Sequence, residues 1–201
     1  MQEKLSIPAE VLGEPVSLRG YIDMRRAWDF DFEYPRFHAS SGSKATYPMP
    51  KKEAVFFAPF VPGIFINRDL LEKESENSGI DFKALLEILV LHELVHVAMA
   101  VNFADDNESQ WLKLPELLYI HEAIALKACE SLFFDLFEYA NAQDVENYLT
   151  YVKCQAEIAG NGGPYSRFFD EFKSLELNQL WDALMAASPI KPPYSLRALE
   201  V

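Results

Sequence analysis

Cysteine is scarce: Cys129 and Cys154 are the only two in 201 residues. Neither a disulfide framework nor a CxxC metal site can be built from them. Positive charge is also in deficit, with 18 Lys and Arg against 31 Asp and Glu and a net charge of −13. Such a field repels phosphate backbones and anionic bilayers, which argues against nucleic-acid and membrane partners. No long hydrophobic run is present. The greasiest stretch, Ile88 to Val101, is too short to span a bilayer and carries ionisable residues. The opening Met1-Gln2-Glu3-Lys4-Leu5-Ser6-Ile7-Pro8 lacks a basic region followed by an apolar one, so it does not read as a secretory signal. A reduced cytoplasm is the expected compartment. Internal repeats and low-complexity segments are missing as well.

What is present is a substantial apolar fraction, 50% of residues with 13% aromatic, enough for a core without covalent staples. Proline is distributed unevenly. Five of the twelve lie in the first 50 residues, and between Gly63 and Pro164 only Pro115 intervenes. Since proline breaks helix interiors, the long helices are expected in that central region. The chain length fits one domain. We divide it into an irregular N-terminal portion (1–52), a core (53–140) and a helical C-terminal portion (141–201).

Val16–Met24 is a plausible strand. Glu53–Ala58 and Gly63–Asn67 are β-rich runs around a Pro-Gly turn, which predicts an antiparallel hairpin, and Gly63–Asn67 is expected to be an exposed edge strand. A short helix is expected over Leu70–Ser78. Asp81 stands where an N-cap belongs, ahead of Phe82–Phe103, which is apolar on nearly every side and so reads as a buried helix. Pro115 suits the first turn of another helix running to about Ala140. Further helices are expected over Asp144–Ala159, from Pro164 and from Leu177. His38 reads as an ordinary loop residue. The fold class expected is α+β, predominantly helical, with a small antiparallel sheet preceding the long buried helix.

Chemistry enters at His92-Glu93-Leu94-Val95-His96. Side chains four apart share a helix face, so His92 and His96 can offer two imidazoles to one metal ion. Glu93 lies about 100° round the helix from His92, placed to take a proton from an activated water without ligating the ion. An HExxH arises by chance in about one chain per few hundred of this length. Here it is embedded in Leu89-Val90-Leu91 and Val97-Ala98-Met99. Two histidines and a glutamate on a buried helix are costly unless something pairs them, and a metal does so. A di-iron carboxylate site needs a second ExxH, and neither His121 nor His38 has a glutamate three residues earlier. A serine or cysteine hydrolase lacks support: there is no GxSxG, and both cysteines fall in helical, apolar settings.

At this motif the chain resembles the zincin metallopeptidases. The metzincin continuation would place Gly and His at positions held here by Met99 and Asn102, so that branch is excluded. The Glu-zincins, including the compact minigluzincins, take a glutamate from a following helix. Tyr119-Ile120-His121-Glu122-Ala123-Ile124-Ala125 looks like that element, with Ala125 and Cys129 on the face of Glu122. The resemblance covers about residues 55–130. It implies a zincin-like fold, a Zn2+ ion held by His92, His96 and Glu122, and hydrolysis of a peptide or protein substrate with Glu93 as general base. The neighbouring His121 stays open as the third ligand. An alternative within the same fold is a regulatory or metal-binding protein with narrow or no proteolytic activity. The aspartate that often follows the ligand glutamate is replaced by Ala123, Ala125 and Leu126, which leaves the groups orienting the histidines unassigned. Tyr165 and Arg167, after the Gly160–Gly163 loop, are candidates for stabilising the oxyanion. The start of a helix after a glycine C-cap is the stronger reading of the two residues.

Overall fold

In a computed structural model the described residues are 5–18, 36–39, 53–58, 63–103, 115–136, 141–160 and 174–187. Calls on Pro164, Tyr165 and Arg167, and on the strand beyond Leu18, lie outside them. The architecture is α+β and mostly helical, and no described helix is long and apolar enough to cross a membrane.

The N-terminal residues make a minimal ribbon. Strands β1 (Ser6–Ile7) and β2 (Val16–Ser17) pair antiparallel around the one-turn helix α1 (Ala9–Leu12). Ile7, Leu12 and Leu18 bury into the main core. Arg68 donates from Nη1 to the Leu12 carbonyl at 2.8 Å, tying this ribbon to α2 (Arg68–Ser78). Asn67 caps α2 by accepting from the Leu70 N–H at 3.2 Å, and Gly79 ends it at φ 72°, a left-handed conformation that suits glycine. Asp81 then caps α3 (Phe82–Phe103), its Oδ1 accepting from the N–H groups of Lys83 at 2.9 Å and Ala84 at 3.3 Å.

Helix α3 is the axis of the molecule. Leu85, Leu86, Ile88, Val90, Leu91, Leu94 and Val95 are buried on successive sides of it. It packs against α2, against α4 (Pro115–Ser131), against α5 (Ala142–Gly160) and against strand β4 (Val55–Ala58). The last helix, α6 (Leu177–Ala187), lies on α4. Helix α4 passes into a π-helical turn at Leu132–Leu136, and the rest of the helix expected to run to about Ala140 lies outside the described residues. There Leu132 and Phe133 are buried, Phe133 stacks on Tyr148 of α5 at 4.8 Å, and the Tyr148 hydroxyl donates to the Leu126 carbonyl at 2.8 Å.

Three strands make the main sheet, in the order β3 (Arg36–Ala39), β5 (Gly63–Ile66), β4. The β4–β5 pair is antiparallel, as the hairpin reading expected, but β3 runs parallel to β5. The sheet is therefore mixed, and Gly63–Asn67 is not an edge strand: β5 is central, with β3 and β4 at the edges among the described residues. Ile64 and Ile66 bury one face of β5 in the core, and β3 on one flank and β4 on the other satisfy its backbone. His38 is not in a loop either. It lies in β3 and stacks on Phe65 at 4.8 Å, and Phe65 stacks on Phe56 at 5.1 Å, giving one aromatic row across all three strands.

Close approach of β3 and β5 explains the glycine that begins β5. A Cβ at Gly63 would lie 2.7 and 2.8 Å from ring atoms of His38 and 2.9 Å from the Arg36 carbonyl oxygen. Gly63→Ala is expected to lower stability by about 1–3 kcal/mol through overpacking, read as the midpoint of urea unfolding. Adding His38→Ala should recover part of the loss, since the Arg36 carbonyl remains. An unchanged midpoint in the single variant would contradict the parallel β3–β5 register.

Candidate metal centre

The HExxH residues occupy the middle of α3, and the side chain that meets them comes from α4. His92 Nε2 lies 3.0 Å from Glu122 Oε2, His96 Nε2 lies 3.4 Å from Glu122 Oε1, and the two Nε2 atoms are 3.2 Å apart. Three such edges cannot all be ordinary hydrogen bonds. Each imidazole Nε2 has one in-plane direction, holding either a proton or a lone pair. Protons on both would serve Glu122 twice and then oppose two N–H groups at the third edge. A single central cation satisfies both imidazoles and the Glu122 carboxylate at once. Ligands at 2.0–2.1 Å around a tetrahedral ion stand about 3.3–3.4 Å apart, close to the separations observed. Among the described residues this is the group that could hold a metal ion.

The local sequence explains why α4 comes so near. Ala125 and Cys129, on the Glu122 side of α4, are buried together with Ala123 and Ala128, so no bulky side chain separates the two helices. The thiol of Cys129 is pushed far up by burial and then by Glu93, which makes it inert packing.

Electrostatics point the same way. Burial pulls His96 down, but the charge and hydrogen bond of Glu122, with Glu93 and Glu53, outweigh it and bring His96 up to about 9. For Glu122, burial raises the carboxyl, yet His96 and His92 hold it well below the ordinary carboxylate range. The pocket thus favours a positive charge at its centre, and an imidazolium supplies it when no ion does. Glu93 is pushed up by burial, against the opposing pull of His96 and His92, and its Oε2 accepts from the Phe57 N–H at 2.7 Å. The His92 ring is 4% exposed, and its Nδ1 has no hydrogen-bond partner among the described residues. The acceptor that usually orients such a ring is therefore not supplied by α2, α4 or β4.

His121 stands outside the three-residue group. Its ring is 6% exposed and lies parallel to that of His96, with centroids 6.5 Å apart. Burial and then the His96 charge lower it to about 3, so it is a neutral imidazole walling the site. Tyr165 and Arg167 lie outside the described residues. Searches against family models, curated proteins and solved structures returned no match.

Two features had no local signal in the sequence. The first is the backbone of β4. The Asn67 N–H donates to the Ala54 carbonyl at 2.7 Å, which fixes the ladder phase. Ala54, Phe56 and Ala58 then turn their backbone groups to β5, whereas Val55 and Phe57 turn theirs outward. Phe57 uses its outward N–H on Glu93, so the edge of β4 that no strand among the described residues pairs with runs beside Glu93. The second is Glu53, just before β4. Its side chain is exposed, yet it feels the charges of Glu93, Glu122, His92 and His96. Burial, then Glu93 and Glu122, bring Glu53 up to about 7, a shift that solvent around the exposed carboxyl partly screens. A third helix also borders the site: Tyr151 of α5 is buried, and its hydroxyl is held well above its usual range by burial, Cys129, Glu122 and Glu93.

Proposed function

We propose that this chain is a zinc-dependent metallopeptidase of the Glu-zincin type, hydrolysing peptide bonds in a peptide or protein substrate. The observation that carries the reading is the convergence of His92 Nε2, His96 Nε2 and a Glu122 carboxylate at 3.0–3.4 Å, with Glu93 beside them on the same helix. Two imidazoles and one carboxylate are the donor set of hydrolytic zinc sites that keep a fourth position open, and their spacing suits an ion of that size. Zinc, when bound, supplies the Lewis acidity that polarises a carbonyl and activates water.

The residues of the chain do the rest. Glu122 offsets part of the ion's charge in a site shielded from water. Glu93 is held by Phe57 through Oε2, which leaves Oε1 to take a proton from the attacking water and pass it to the departing amine. The outward N–H and C=O of Val55 and the outward C=O of Phe57 offer an extended substrate a strand to pair with, while the Phe57 N–H stays on Glu93; this role falls to β4 and not to β5. The test is metal content together with turnover. Protein purified without a histidine tag should carry about one zinc per chain and cleave an unstructured polypeptide, with loss of cleavage on chelation and recovery with zinc. Two irons per chain, or a stoichiometric zinc with no cleavage of any peptide in a broad library, overturns the reading.

A further inference from the structure

The outer edge of β4 is a hydrogen-bonding surface with one group already in use. Antiparallel pairing to β5 turns Ala54, Phe56 and Ala58 inward, which leaves Val55 and Phe57 to present their N–H and C=O groups on the other side. The Phe57 N–H is spent, since Glu93 Oε2 accepts it at 2.7 Å. That is a distance at which a paired peptide carbonyl would stand. Glu93 therefore holds, on this edge, the place of one substrate carbonyl oxygen. The other outward N–H, that of Val55, lies two residues away, about 6.8 Å along the strand.

A peptide pairing with this edge meets one interruption. Val55 can make both of its bonds, and Phe57 can accept through its carbonyl, but the substrate carbonyl that would have met the Phe57 N–H is turned away from β4. It stands beside the Glu93 carboxylate, the group that takes a proton from the attacking water. Its residue is then P1, the one that gives the scissile carbonyl, with P1′ and P2′ following. Both ladder geometries lead to the same pair of amides. In an antiparallel pairing the P1 N–H donates to the Phe57 carbonyl and the P2′ N–H to the Val55 carbonyl; in a parallel pairing the two acceptors exchange. Either way Val55 and Phe57 use the amides of P1 and P2′ and leave those of P2, P1′ and P3′ alone. The P1′ nitrogen, which must accept a proton as it departs, stays clear of the strand.

We propose that the Phe57–Glu93 bond sets the register of cleavage, so that the site takes extended peptide segments with an N–H at both P1 and P2′ and rejects proline at either position. This rests on the metallopeptidase reading. It adds a preference imposed by backbone alone, which His92, His96 and Glu122 do not carry. Each bond from the peptide to the strand is a single neutral hydrogen bond, so loss of one is expected to weaken binding about three- to tenfold.

The experiment is a backbone methyl scan of an inhibitor whose own chemistry fixes its register. The parent is an N-acetylated, C-terminally amidated alanine pentapeptide spanning P2 to P3′, with a phosphinate and a methylene in place of the P1–P1′ amide. The parent and its forms N-methylated singly at P2, P1, P2′ or P3′ are titrated calorimetrically into the zinc-loaded chain, a readout that needs no turnover. N-methylation at P1 or P2′ should weaken binding about three- to tenfold, and at P2 or P3′ by less than about twofold. Val55→Pro removes an outward N–H without breaking the ladder to β5, and it should weaken the parent relative to acetohydroxamate, which has no peptide to pair. The scan on the wild type decides even where this variant does not fold. Losses at P2 and P3′ in place of P1 and P2′, no loss at any position, or a folded Val55→Pro that keeps the wild-type ratio of the two probes overturns the register and leaves the metallopeptidase reading standing. Failure of both the parent and acetohydroxamate to bind the zinc-loaded protein overturns the two together.

Discussion

Glu93→Gln is expected to retain about one zinc per chain and to lose hydrolysis by at least about 10²- to 10⁴-fold, the usual worth of a positioned general base. Glutamine keeps the size of the side chain and can still accept the Phe57 N–H, so the hydrogen bond that fixes the group at 2.7 Å survives the change. The amide loses the capacity to take a proton. Burial raises the Glu93 carboxyl above its ordinary range, which makes it a stronger base than a solvated glutamate. Glu93 is also no member of the converging group formed by His92, His96 and Glu122. Zinc content by elemental analysis and kcat on a peptide substrate would be measured on the same preparation, beside His92→Ala. Metal loss in Glu93→Gln as complete as in His92→Ala would make Glu93 a ligand and remove its role as base.

The parts of this molecule legible in the sequence are those fixed by residues close together along the chain. Phe82–Phe103 is helical over the span that its apolar character and the Asp81 cap imply. Arg68–Ser78 and Leu177–Ala187 likewise start near the residues where local signals place them. The i,i+4 spacing of His92 and His96 is itself a local fact, and Ala125 and Cys129 were a readable sign that α4 can come near. The failures are non-local. Nothing within Gly63–Asn67 reveals that Arg36–Ala39 will dock beside it in parallel, so β5 looked like an edge and turned out to be central. His38 gives no hint in Pro35-Arg36-Phe37-His38 that it will stack on Phe65, a partner 27 residues away. Glu53 reads as one more surface acid in a chain with a large excess of them. Only the charges that the fold brings near distinguish it, and the path of β4 beside Glu93 depends on the ladder phase and on the bond from Phe57 to Glu93.

Of the two adjacent candidates on α4, Glu122→Ala is expected to weaken zinc binding by several orders of magnitude, and His121→Ala by about tenfold. Neighbouring helical residues point about 100° apart, so the two cannot serve one ion equally well. The sequence left the choice open, because imidazole is as good a zinc ligand as carboxylate and His121 has its own stripe of small residues, Ala125 and Ala128. The geometry separates them. Both oxygens of Glu122 reach the histidines, one at 3.0 Å from His92 and the other at 3.4 Å from His96. The His121 ring instead lies parallel to His96 with centroids 6.5 Å apart, a wall contact rather than a convergent one. Charge argues likewise. Two neutral imidazoles and a carboxylate leave one net positive charge on a bound divalent ion, whereas three imidazoles would leave two in a poorly hydrated site. Removing His121 still loosens packing around His96, which is why a loss of about tenfold, the size typical of a group that supports a ligand, is expected and not zero. Competition with a chromophoric chelator measures both affinities on one scale, and circular dichroism checks that each variant is folded. The opposite order, with His121→Ala losing zinc and Glu122→Ala keeping it, would transfer the third ligand to His121 and remove the ground for a Glu-zincin assignment.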